Sequence, residues 1–309
     1  MNTIRLLQMF LILSAMVSCL YQRPDMSTDM SVDLPAFNSE SSPSVLFDAG
    51  HKNFHDIQST YKPFATLLNN DGILLTTHDG HYTPEALQNV DLLIIANATG
   101  EEREDGRMTS AFSKKEIEVL TQWVSQGGSL LLIADHDPFG SASAQLAKSF
   151  GVGMESVWTV DTSRQNPEIG KSSWLEYSLE NGGLGLHPIV QLDPPIRKVI
   201  TFTGQSLSFD STWTSILMLS ESARNYYTRA DASIISDDNT SYFPVPGQSQ
   251  LIASNYGSGR IVIAGEAAMF TAQEVRIFFK TMRAGFNYDG YDNKQLVLKI
   301  IHWLVSDTD

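Results

Sequence analysis

The sequence predicts an α/β fold: a three-layer, doubly wound, mostly parallel sheet with a β-rich insertion near one edge. Two observations carry this. Short apolar runs of the kind that buried parallel strands require recur at Ser44–Phe47, Asp91–Ala96, Leu130–Ala134 and Ile261–Ala264, with helical patterns between the first three. Each run also ends in a polar cluster: Asp48 and His51, then Asn97, then Asp135 and His136, then Glu266. Ligand crevices of open α/β sheets lie outside the carboxyl ends of the strands, so one site is expected there.

Taken in order, Ser44–Asp48 is the first core strand. A helix is expected from about Asp56, with Tyr61, Phe64, Leu67 and Leu68 on its apolar stripe and Gly72 closing it. Ile73–Thr76 is the second strand, Thr83-Pro84-Glu85 starts a short helix, and Asp91–Ala96 is the third strand. The charged loop 99–112 is expected as solvated surface, placed where a lid could form. Ser113-Lys114-Lys115-Glu116 is a capping box, and Ile117, Leu120 and Val124 form the stripe of the helix it opens. Gly127-Gly128 ends that helix, Ser129–Ala134 is the most apolar strand, and a helix spans about Ser141 to Phe150. This βαβαβαβα order argues for right-handed crossovers.

Residues 154–254 form a β-rich excursion, with β-type runs at Ser156–Val160, Lys198–Thr203 and Ser215–Leu219. Gln250–Asn255 and Arg260–Ala264 read as a hairpin, followed by helices over about Ala267–Ala284 and Asn293–Val305.

The amino terminus carries one positive charge, Arg5, then an apolar stretch from Leu6 to Val17 and the only cysteine, Cys19. That is a secretory signal shape, too short for a comfortable bilayer span. Met16-Val17-Ser18-Cys19 resembles a bacterial lipobox, so 1–18 is expected as a lipoprotein signal peptide and Cys19 as the lipidated residue. Residues 19–43, rich in Ser, Asp, Pro and Met, are expected as a disordered tether, and 44–309 as the α/β domain. Leu20, which is not aspartate, points to the outer membrane and its periplasmic face. The net charge is −14, or −15 once Arg5 leaves with the signal, which disfavours nucleic acid as a partner.

Candidate chemistry sits at the strand ends. Asp135, His136 and Glu266 are the candidate catalytic groups, because ionisable side chains directly after an apolar strand are partly desolvated. Asp48, Asn97 and His187 are candidate ligand-binding residues. His51, His55 and His136 are candidate metal ligands, with zinc or manganese suiting mixed nitrogen and oxygen donors. His78 and His81 are weaker candidates. There is no Walker loop, dinucleotide fingerprint, Gly-x-Ser-x-Gly elbow or His-Glu-x-x-His helix, so hydride transfer and nucleotide hydrolysis lose support.

Phe47 to His55, Gly128 to Gly140, Gly265 to Phe270 and Asn293 to Leu304 together resemble a family of bacterial proteins whose domain is similar to the class I glutamine amidotransferase fold. The His187-Pro188-Ile189 stretch is similar to one in trehalose-utilisation-type and gliding-motility-associated relatives. The resemblance implies a flavodoxin-like fold. It does not imply amidotransferase activity, which needs a cysteine thiolate at the turn where this chain holds Asp135-His136-Asp137. Two functions remain open: a metal-assisted hydrolase of a glycan- or peptide-type substrate, and a non-catalytic module binding such a ligand or an envelope protein.

Overall fold

The computed structural model describes residues 20–38, 40–227, 242–277 and 280–306. The signal segment 1–18 and Cys19 lie outside the described residues. No helix among the described residues is long and apolar enough to cross a membrane.

Five core strands, β2 (Val45–Asp48), β3 (Leu75–His78), β4 (Leu92–Ala96), β5 (Ser129–Ile133) and β13 (Gly259–Ala264), run parallel in the order β3-β2-β4-β5-β13. This is the flavodoxin-like order, whose switch point lies between β2 and β4. Two antiparallel strands, β12 (Ser249–Tyr256) and β9 (Thr214–Met218), extend the sheet beyond β13 to seven strands. The Gln250–Asn255 hairpin of the sequence reading is therefore real, but its outer strand belongs to the main sheet.

Alternation along the buried strands sends side chains to two cores. Ile94, Leu131, Ile133 and Val262 face a core shared with helix α1 (Lys62–Asn70) and helix α5 (Asn293–Val305). Leu93, Ile95, Leu130, Leu132, Ile261 and Ile263 face the other, shared with α2 (Lys114–Ser125) and α3 (Phe139–Ser149). Helices on both faces of a parallel sheet make the three layers. Helix α2 opens with the expected capping box: Ser113 accepts from the Glu116 backbone while the Glu116 side chain accepts from the Ser113 backbone. Ser113→Ala therefore lowers unfolding stability by about 1 kcal/mol, measured by urea denaturation.

The excursion holds β6 (Trp158–Asp161), β7 (Trp174–Ser178), β8 (Lys198–Phe202), β10 (Ala223–Tyr226) and β11 (Tyr242–Pro244), arranged as a β7-β8 pair and a β11-β10-β6 sheet. A single-turn helix α4 (Pro188–Gln191) lies between β7 and β8.

Four expectations fail. The short helix expected to start at Thr83-Pro84-Glu85 is a run of turns over 84–89. The helix expected from Asp56 starts at Lys62, because 56–61 is spent in a turn closed by Tyr61 N donating to Asp56 O. The helix expected over Ala267–Ala284 is a 3-10 turn, Ala268–Phe270, followed by strands β14 (Ala272–Ile277) and β15 (Lys280–Gly285). The described part of the expected tether is ordered as well. Strand β1 (Leu20–Pro24) pairs antiparallel with β14, Met30 is buried in the first core, and the buried Asp25 carboxylate accepts from Asn287 Nδ2 at 2.9 Å. These two corrections share one cause: β14 is the middle strand between β1 and β15, so one small sheet draws on both the segment before Ser44 and the stretch after Phe270.

Candidate functional site

A cavity of about 800 Å³ opens over the carboxyl ends of β4, β5 and β13. Asn97, Asp135, His136 and Glu266 line it, each directly following or within a few residues of a strand end, as does His55 from the loop after β2. The excursion supplies Trp158, Trp174 and Phe202, and β1 and β14 supply Gln22 and Gln273. The Gln22 and Gln273 side chains hydrogen bond to each other.

Asn97 is the hinge of the site. Its backbone is left-handed at φ 48°, a conformation asparagine tolerates better than most residues, and its N–H donates to Ile133 O at 2.9 Å. Its side-chain Oδ1 accepts from the Asp135 backbone N at 2.8 Å, which fixes the amide orientation, since a backbone N–H can only donate. Nδ2 is then left buried with no protein partner.

Asp135 Oδ1 accepts from the His136 backbone N at 2.8 Å, and its Oδ2 lies 4.0 Å from His136 Nε2. Burial raises the Asp135 pKa above the ordinary carboxyl value, against the opposing pull of His136. Glu266 is fully buried, and its two oxygens accept from the backbone N–H groups of Ala268 at 2.9 Å and Met269 at 2.8 Å. Burial, reinforced by the charge of Asp135, nevertheless holds the Glu266 pKa well above the usual range. Two carboxyls in one poorly solvated place cannot both ionise cheaply, so the pair holds its second proton to higher pH than separate carboxyls would.

His136 Nδ1 lies 2.7 Å from Asp137 O, a contact in which the ring must donate, leaving Nε2 as the lone-pair nitrogen of the neutral ring. The ring stacks on Trp158 with centroids 3.7 Å apart and planes at 19°, which fixes its orientation. His55 is buried against Tyr61, with ring centroids 4.3 Å apart, and its Nδ1 is 2.9 Å from Thr60 Oγ1. Burial lowers its pKa to about 3, so it stays neutral.

The structure does not bring together the remaining sequence candidates. His187 stands away from the cavity: its Nδ1 accepts from Ile189 N at 3.2 Å, capping the single-turn α4, and its ring packs edge-on against Trp303. Asp48 and His51 belong to a second cluster. His51 Nδ1 is 2.8 Å from Asp48 Oδ1, and Nε2 is 3.1 Å from Glu116 Oε1. Burial works against charge on this imidazole, but Asp48 and Glu116 outweigh it and raise its pKa. The expected metal trio of His51, His55 and His136 is therefore not the one the fold assembles. Among the described residues, the group able to hold a metal is His51, His81 and Glu116, whose ligand atoms all lie within 4.8 Å of one another. Sequence reasoning treated Glu116 only as a cap and His81 as a surface residue. The available signal was topological, since β2 and β3 are neighbours and the loops that follow them carry the two histidines.

The sequence matches no protein-family model and no curated protein. Among solved structures, the mmIFT52 N-terminal domain is similar over 86% of this chain and 99% of its own length, at 15% identity and a TM-score of 0.59. A putative ThuA-like protein from Bacteroides uniformis aligns over 88% of this chain and 95% of its own, at 13% identity and a TM-score of 0.44. The cytoplasmic protein STM3548 from Salmonella typhimurium aligns over 84% and 98%, at 12% identity and a TM-score of 0.46. At such identities the likeness to the mmIFT52 domain is one of fold alone.

Proposed function

We propose that this chain is an envelope lipoprotein of the amidotransferase-like family, anchored through Cys19 at the periplasmic face of the outer membrane, that hydrolyses a glycan- or peptide-type substrate in the cavity. The observation that carries the reading is the buried, unpartnered Nδ2 of Asn97, which belongs to the same cavity lining as His136 and the proton-retaining Asp135–Glu266 pair. A buried donor without a partner costs free energy unless a ligand supplies the acceptor. Glutamine hydrolysis by a thiolate is not part of this reading, because the single cysteine is Cys19.

The residues divide the work as follows. Trp158 and Trp174 contribute aromatic wall to the cavity, against which sugar rings or apolar side chains can pack. His136 Nε2 takes a proton from water as the water oxygen attacks the scissile carbon. For a carbonyl substrate, Asn97 Nδ2 donates to the oxygen on which charge builds. The Asp135–Glu266 pair, whose carboxyl pKa values burial raises, supplies the proton to the leaving group as that bond breaks. Proton exchange with solvent resets both groups.

One observation favours a second reading, a non-catalytic binding module: both Glu266 oxygens are engaged by backbone N–H groups, as in a carboxylate that holds a turn. Panels of labelled peptides and aryl glycosides separate the two. Cleavage that drops by about 10²- to 10⁴-fold in His136→Gln and Asp135→Asn supports the hydrolase. Cleavage unaffected by either change rejects this site, and saturable binding without turnover supports the module.

A further inference from the structure

We propose that His51, His81 and Glu116 form a zinc site separate from the cavity, one that ties together the loop after β2, the loop after β3 and the first turn of α2. The inference uses no cavity residue and stands independently of the hydrolase reading.

The donor atoms are nearly in place. His51 Nε2 and His81 Nδ1 lie 3.1 and 2.9 Å from Glu116 Oε1. Tetrahedral zinc with bonds of about 2.0 to 2.2 Å sets its ligand atoms about 3.3 to 3.5 Å apart, so each imidazole–carboxylate pair needs to open by a few tenths of an ångström, and the two imidazole nitrogens already lie within 4.8 Å of each other. Glu116 is already oriented for this: Oε2 is held by Ser113 N at 3.0 Å and Ser113 Oγ at 2.7 Å, which leaves Oε1 facing the imidazoles. Tyr82 N also reaches Oε1, at 3.2 Å.

The supporting shell points the same way. The fully buried Asp48 carboxylate lies against His51 Nδ1 and so directs Nε2 at the metal position, the carboxylate–histidine–metal arrangement that orients ligands in known sites. Tyr82 stacks on the His51 ring at 4.9 Å and Phe112 packs on it at 4.7 Å, leaving the ring little room to turn. The two loops approach closely enough that a Cβ at Gly50 would sit 2.8 Å from Gly80 O, so glycine there permits the histidines to converge. The His81 side chain is 87% exposed, which opens the fourth position to a water molecule from solvent. Two imidazole nitrogens and one carboxylate oxygen around an open position are a zinc donor set, and the nitrogen majority favours zinc over calcium or magnesium.

The test uses the full, untagged chain freed of metal with a chelator. With zinc, one equivalent binds and the melting temperature rises by several degrees. Cobalt(II) gives the intense visible bands of four-coordinate geometry. His81→Ala, an exposed change that leaves the fold intact, weakens zinc binding at least tenfold and removes the cobalt bands. Asp48→Asn, which deletes no ligand, weakens it by about 10- to 100-fold. His55→Ala and His136→Ala leave binding unchanged. An unmoved melting temperature in the parent protein overturns the proposal, as does full zinc affinity in His81→Ala. Loss of zinc in His136→Ala overturns it too, by moving the metal to the cavity.

Discussion

A chain beginning at Ser44 unfolds about 10 °C below one that retains the preceding segment, a loss of about 3 to 4 kcal/mol for a domain of this size. The apparent linker is part of the packed structure. Removing it strips β1 from β14, where Leu20 to Pro24 pair residue by residue with Ile277 to Gln273, and turns β14 from a central into an edge strand. It also exposes the space filled by Met30, whose burial alone contributes roughly 1.5 to 3 kcal/mol. The buried Asp25 is lost with it, so Asn287 Nδ2 keeps only Gln273 O, and Asp71 Oδ1 loses its bond from Ala36 N. Scanning calorimetry on the two chains reads the difference. Equal melting temperatures would mean that the segment is a tether after all.

The same contact bears on where the protein works. Gln22 lines the cavity and lies three residues from Cys19, so if that cysteine carries the lipid, the cavity is held close to the bilayer rather than at the end of a flexible lead. Three residues reach at most about 10 Å even when fully extended. Such a position suits a substrate presented at the membrane surface.

The parallel sheet was readable from the sequence because its strands are buried on both faces and carry uninterrupted Val, Ile and Leu, and because their ends are marked by a change to polar residues. Asn97, Asp135, His136 and Glu266 meet for the same reason, since parallel neighbours deliver their carboxyl ends to one rim. The β1-β14-β15 sheet was not readable. Residues 267–284 contain no glycine or proline to break a helix, and one of the two strands that pair with β14 lies about 250 residues earlier. A local pattern cannot report a partner at that distance.

The group able to hold a metal was hidden by a sufficient local explanation. Glu116 in Ser113-Lys114-Lys115-Glu116 is fully accounted for as a cap, and only Oε2 performs that role; what Oε1 faces depends on the approach of the Gly50 and Gly80 loops. His51 and His55 looked like a pair by spacing, yet the loop between them turns one imidazole toward α2 and the other into the cavity.

Replacing Asp135 with asparagine flattens the decline of stability with pH and makes the variant about 1 to 2 kcal/mol more stable than the parent at pH 8. The sign follows from the raised carboxyl pKa values. Between the ordinary carboxyl value and the raised folded value, the native state holds a proton that the unfolded chain has released, so unfolding stability falls as pH rises through that window. Glu266 contributes most, since burial and the neighbouring Asp135 charge both act on it. Asparagine removes the titration at 135 and the repulsion at 266, while its side-chain oxygen can still accept from the His136 backbone. At acid pH the two proteins converge because neither carries a negative charge at 135 or 266. Groups with lowered values, such as Glu116 at about 2, give the opposite slope on the acid side and cancel in the comparison. Urea unfolding at pH 5 and pH 8 decides the matter: parallel stability profiles would show that the two carboxyls ionise independently, and the cavity would then lack the proton donor that hydrolysis requires. A variant that gains stability while losing turnover would show instead that the pair is kept for its chemistry at a cost to the fold.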